Sequence, residues 1–213
     1  MSDIVLHGYW RSSASYRVRI ALNLKGVAYR QVTHDLRTDA QRDEAYLGIA
    51  PHGLVPALEV DGEVLIESPA IIEWIEATWP TPALLPADPL AAARVRAMAA
   101  LIGCDIHPLG NLRVLRAVRA MGRDQADVDG WVARWIAEGF SALETMIARD
   151  GDGFAFGDAP TIADCFLVPQ LYNARRFGVD LAPYPRIVAA GERAEMLPAV
   201  GQAHPSRQPD ADG

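Results

Sequence analysis

The chain has 213 residues, half of them hydrophobic, enough for one or two domains with a sizeable buried core. Its formal net charge of -7 argues against a nucleic-acid surface, which needs clustered Lys and Arg, and favours a small-molecule partner. No apolar run approaches the roughly 20 residues that cross a bilayer, and the start MSDIVLHGYW lacks a basic region followed by an apolar one, so a cytoplasmic protein without membrane contact is expected.

Residues 4–8 read as a short buried strand, after which Ser12 opens a helical pattern with Ile20, Ala21 and Leu24 on one face and Gly26 as its stop. Residues 29–33 form a second strand and 38–47 a short polar helix. Beyond the turn-rich stretch 50–53, residues 55–60 are strand-like, Asp61-Gly62 is a hairpin signal, and 64–66 return as the partner strand. Ser68 is placed to cap the next helix, whose Ile71, Ile72 and Ile75 stripe ends at Trp79-Pro80. The order is β-α-β-α-β-β-α.

Four prolines within residues 80–89 mark a linker. Past Leu90 strand signals vanish, and the segments near 90–120, 128–148 and 161–177 carry helical periodicity. The expected organisation is an α/β domain over residues 1–80, a linker over 81–89, an all-α domain over 90–200 and a disordered polar tail over 201–213.

Cys104 and Cys165 both fall in apolar helical patterns and are expected to be small buried side chains rather than a disulfide. Cys104-x-x-His107 is two ligand types without a second pair, so no metal site is expected. Thr161-Ile162-Ala163-Asp164 has capping-box spacing and a structural role.

The segment Arg11-Ser12-Ser13-Ala14-Ser15-Tyr16-Arg17-Val18-Arg19-Ile20-Ala21-Leu22 resembles the signature of zeta-class glutathione transferases, a family that includes the maleylacetoacetate and bacterial maleylpyruvate isomerases. Supporting matches are Val55-Pro56-Ala57-Leu58, Glu67-Ser68 with Ala70-Ile71-Ile72-Glu73, Cys104-Asp105-Ile106-His107-Pro108 with Asn111-Leu112-Arg113, and Gly157-Asp158 with the capping box. The resemblance implies a thioredoxin-like N-terminal domain, an all-α C-terminal domain and a homodimer.

Where the family has a cysteine in the Ser-Ser-Cys triplet, this chain has Ala14, so the turn from strand to helix holds no thiol. A helix start that stabilises a thiolate yet owns no cysteine makes physical sense when the sulfur arrives on a ligand, here glutathione. Ser12, Ser13 and Ser15, with Arg11, are the expected catalytic set; helix capping is the plainer use of the same serines. The resemblance further implies glutathione contacts at His52, Val55, Pro56, Glu67, Ser68, Asp105, His107 and Asn111. It implies grips on a diacid substrate at Arg11, Arg113 and Arg176, with Arg175 as the alternative to Arg176.

The implied reaction is cis-trans isomerisation of maleylacetoacetate or maleylpyruvate. A conjugated double bond rotates only after thiolate addition has made it single, and expulsion of the thiolate then leaves the trans product. Asp105-Ile106-His107-Pro108 with Arg113 and Arg175-Arg176 leans to maleylpyruvate, and the Ser12-Ser13 pair to maleylacetoacetate; both stay open. The alternatives are a transferase that conjugates electrophiles permanently and a non-catalytic binding module on the same fold.

Overall fold

The computed structural model describes residues 3–212. They divide into two compact units, one comprising the residues up to Ala83 together with those from Met196 onward, the other Leu84–Glu195.

The first unit is built on four strands, β1 (Ile4–Gly8), β2 (Arg30–Thr33), β3 (Ala57–Val60) and β4 (Glu63–Ile66), in the spatial order β2-β1-β3-β4. β1 runs parallel to β2 and antiparallel to β3, and β3 is antiparallel to β4. Every residue of β1 is buried, which is why it reads as a continuous apolar run rather than an alternation. The parallel β1–β2 pair needs a crossover, supplied by helix α1 (Ser13–Leu24). Gly26, at φ +66, lets the chain leave that helix towards β2. Asp61 and Gly62 both have positive φ, the geometry a two-residue hairpin between β3 and β4 demands.

The short polar helix expected over 38–47 is two separate single turns, a 3₁₀ turn at Ala40–Arg42 and α2 (Glu44–Leu47), since Asp43 in extended conformation interrupts them. Helix α3 (Ser68–Thr78) turns Ile71, Ile72 and Ile75 inward and packs beside α1.

The second unit is all-helical: α4 (Pro89–Ala100), α5 (Leu112–Ala120), α6 (Gln125–Asp150), α7 (Ile162–Arg176) and α8 (Pro185–Glu195). One continuous helix is expected near 90–120, but α4 passes into a π-helical stretch at Leu101–Ile106 and a 3₁₀ turn at His107–Gly110 before α5 begins. Pro108 accounts for part of this, because its ring and missing N–H cannot continue an α-helical ladder. The widened stretch turns Ile102 and Ile106 inward and Cys104 and Asp105 outward. The expectation that Cys104 is buried is therefore corrected, whereas Cys165 in α7 is buried.

The expectation of a disordered tail from Gly201 is corrected over residues 201–212; Gly213 lies outside the described residues. Helix α9 (Pro198–Gln202) packs on α1, and a 3₁₀ turn at Pro205–Arg207 follows. The polar composition misleads because this segment is held by buried side chains of the first unit, Arg19 above all, as well as by its own few buried residues Val200, Ala203 and Pro205.

Candidate active site

The first unit gathers its chemistry at one end of the sheet. β1 ends at Gly8, β3 begins beside it because His7 faces Ala57, and β4 ends there because Ala57 faces Ile66. Gly8, Pro56 and Glu67 therefore leave the sheet at the same end, where the Tyr9–Ser12 turn leads into α1. The Val55–Pro56 bond is cis.

The turn is tightly bonded: the Ser12 N–H donates to Tyr9 O at 3.0 Å, and Ser12 Oγ accepts the Ser15 N–H at 3.2 Å as the cap of α1. Ser13 is the first helical residue and is buried. The first turn of α1 contains no acidic side chain, so the partial positive charge of its N-terminus is free to act on an incoming anion. Ala14, where the family has cysteine, is half-buried in that turn. Ser15 has no exposed surface, and a Cβ on Gly8 would stand 3.1 Å from its Oγ. The Ser15 hydroxyl, placed beside Gly8, has no hydrogen-bond partner among the described residues.

Arg11 is half-buried, with its guanidinium 5.2 Å from the Trp10 ring centroid. Its charge acts on Tyr9 and Asp35: burial raises the Tyr9 pKa and Arg11 opposes that rise, while Arg37, and to a lesser degree Arg11, holds the Asp35 carboxyl down.

Before the cis bond, Tyr46 of α2 anchors the loop. Its hydroxyl donates to Leu54 O at 2.7 Å, and the ring packs with Ala50, Ala57 and Val55. Burial raises the Tyr46 pKa, so the hydroxyl stays a donor. Nothing in the sequence around Tyr46 signals this role.

Glu67 is an exposed N-cap residue at φ +68, a costly conformation for a side chain of its kind. His52 Nε2 lies 4.0 Å from Glu67 Oε1, so the structure brings these two expected residues together. The expectation that Ser68 caps α3 is corrected: Ser68 is the first residue inside the helix, and its buried hydroxyl accepts from Arg17 Nη1 at 3.3 Å. That bond ties the start of α3 to α1.

In the second unit Asn111 caps α5, accepting the Arg113 N–H at 3.1 Å, and Arg113 is exposed in the first turn. Asp105 is exposed in the π-helical stretch and His107 opens the 3₁₀ turn. Arg175 is committed to α8 through Glu192 at 3.1 Å and Glu195 at 3.2 Å. Arg176 ends α7 with its guanidinium 4.9 Å from the Phe177 ring centroid. Among the described residues no group of three or more His, Cys, Asp or Glu is arranged to hold a metal ion, and no helix is long and apolar enough to cross a membrane.

Residues 11–78 match the glutathione S-transferase N-terminal domain and residues 117–190 the C-terminal domain. The chain belongs to the glutathione transferase family. Within it the chain falls in the zeta-class branch of maleylacetoacetate and maleylpyruvate isomerases. It is 52% identical to the maleylacetoacetate isomerase of Pseudomonas aeruginosa, over 96% of this chain and 97% of that one. It is 49% identical to the maleylpyruvate isomerase of a Ralstonia species, over 97% and 99%. The holo structure of a bacterial zeta-class maleylpyruvate isomerase superposes with a TM-score of 0.96 at 49% identity, covering 98% of this chain and all of the other. The glutathione-bound maleylacetoacetate isomerase of Anaeromyxobacter dehalogenans gives 0.91 at 45% identity, covering 99% of each chain.

Proposed function

We propose that this protein is a glutathione-dependent isomerase that converts a cis diacid of the maleylacetoacetate or maleylpyruvate type to its trans isomer, acting as a cytoplasmic homodimer. The observation that carries the reading is the Ser12-Ser13-Ala14 start of α1, a thiolate-stabilising helix terminus with no thiol of its own.

The residues fit glutathione. The Val55 backbone, beside the cis bond and held by Tyr46 through Leu54, presents an edge to which a cysteinyl unit can pair as an added strand. Glu67 and Ser68 start α3 where the γ-glutamyl group is expected, and His52, whose buried Nδ1 has no hydrogen-bond partner among the described residues, is the candidate for the glycyl carboxylate. When bound, glutathione supplies the nucleophilic sulfur whose addition and departure free the double bond to rotate. Ser12, Ser13 and the N–H groups of the first turn hold that sulfur ionised by donating to it. Arg11 offers a permanent charge to a substrate carboxylate, and Arg113 and Arg176 are the proposed further grips; Arg175, already paired, is not.

The test is a side-by-side assay of both diacids with and without glutathione. Isomer forming only with glutathione, and glutathione recovered unchanged, is the expected result. A stable conjugate without isomer points to a conjugating transferase, and no binding of glutathione by calorimetry removes the reading altogether. Light scattering at a dimer mass is expected; a monomer mass rejects the homodimer.

A further inference from the structure

The segment after α8 does more than pack. Asn23 Nδ2 donates to Ala199 O at 2.9 Å, and Arg19, which has no exposed surface, donates from Nε to Ala203 O at 3.0 Å. The same guanidinium reaches back to the serine turn, with Nη2 donating to Trp10 O at 2.9 Å. Further along, buried Gln208 accepts from Gln31 Nε2 at 3.0 Å and donates to Gln202 O and His204 O. Arg37 bonds Asp212. Between these anchors, Asp210 Oδ2 accepts the Trp10 N–H at 2.9 Å. Both polar groups of Trp10's backbone, directly before Arg11 and Ser12, are therefore taken by groups belonging to, or pinned by, the C-terminal segment.

We propose that Asp210 is a positioning residue for the isomerase site: its carboxylate fixes the Trp10 backbone and so sets where Arg11 and the Ser12-Ser13 helix start stand. The proposal rests on the function given above. β1 is held by its ladder and α1 by its own Ser12 cap, so neither element needs Asp210 to form. What depends on it is the placement of the Tyr9–Ser12 turn between them, where a displacement of an ångström is enough to misalign a reacting group. A carboxylate accepting a backbone N–H is a charge-assisted bond, and a neutral oxygen on the same stem retains the geometry with less strength.

Asp210→Ala, Asp210→Asn and the wild type are compared in three measurements: amide exchange at Trp10, the thiol pKa of bound glutathione by ultraviolet absorbance, and kcat and KM for both diacids. In Asp210→Ala the Trp10 amide is expected to exchange faster, the bound thiol pKa to rise and kcat/KM to fall about tenfold. Asp210→Asn is expected to restore most of each. Wild-type thiol pKa and kcat/KM in Asp210→Ala overturn the proposal, as does an Asn variant no better than Ala. Should Asp210→Ala not fold, Asp210→Ser, too short to reach the amide, is expected to show the same losses, and wild-type values there overturn the proposal equally. If the wild type neither binds glutathione nor isomerises, the functional reading fails, while Trp10 exchange still reports whether Asp210 holds the turn.

Discussion

Ser12 and Ser13 are neighbours with different fates. Ser12 spends its acceptor on the Ser15 N–H but keeps its hydroxyl proton to donate, while Ser13 sits buried inside the first turn. Ser13→Ala is expected to raise the thiol pKa of bound glutathione, read by ultraviolet titration; an unchanged titration would leave Ser12 and the helix N–H groups as the only donors. Arg11→Ala is expected to raise KM or lower kcat/KM for the diacid by about ten- to a hundredfold with glutathione affinity nearly unchanged, since the lost contact is to a carboxylate of the substrate. Equal activity in the variant removes Arg11 from the substrate site. The serine pair is proposed from the continuous stretch 11–22, and Val55-Pro56 and Glu67 from short separate matches, because each is a local string of residues. That Ser15 is the serine packed against the strand was not legible, because sequence cannot tell which serine of a helix start faces the sheet, and that is decided by the approach at Gly8.

At the scale of elements, α7 shows local signals that survive folding. Thr161 and Asp164 form the capping box their spacing announces, and Asp164 also accepts the Ala155 N–H at 2.9 Å. Burial pushes the Asp164 carboxyl up to about 6, against the donors from Ala155 and Thr161 that pull it down. Asp164→Ala strands the buried Thr161 and Ala155 N–H groups and is expected to cost about 2–4 kcal/mol in urea denaturation. A loss under about 0.5 kcal/mol shows that the cap is dispensable. The break between α4 and α5 was only half legible. Pro108 announces a disturbance, but the π-helical widening at 101–106 comes from packing: a Cβ on Gly139 of α6 would stand 2.3 Å from Ile106, so that glycine lets the irregular stretch lie close.

For the molecule as a whole, a cluster in the first unit is expected to contribute to stability towards acid. His7 Nδ1 lies 3.1 Å from His34 Nε2, His7 Nε2 lies 3.3 Å from Glu59, and the Tyr46 ring packs against His34 at 4.0 Å between centroids. Burial, and then the charge of His7, lowers the His34 pKa below 6.5, with Asp43 opposing. The folded state then binds fewer protons than the unfolded chain in that window. Stability from this group is full above about pH 6.5 and is lost as pH falls through the depressed value. His34→Gln is expected to flatten the decline of the urea midpoint between pH 7 and 5; an unchanged decline assigns the acid sensitivity to other groups. The sequence by itself determined the element order of the first unit up to α3, the hairpin at Asp61-Gly62, the serine helix start and the helical character of the second half, because each rests on periodicity or turn chemistry within a few residues. Only the tertiary structure decided that the polar C-terminal segment is ordered, that Arg175 is spent on α8, that Tyr46 bonds Leu54 O and Arg17 bonds Ser68, and that Asp210 accepts the Trp10 N–H. Those facts depend on pairings between residues up to 200 positions apart in the chain, which no local pattern encodes.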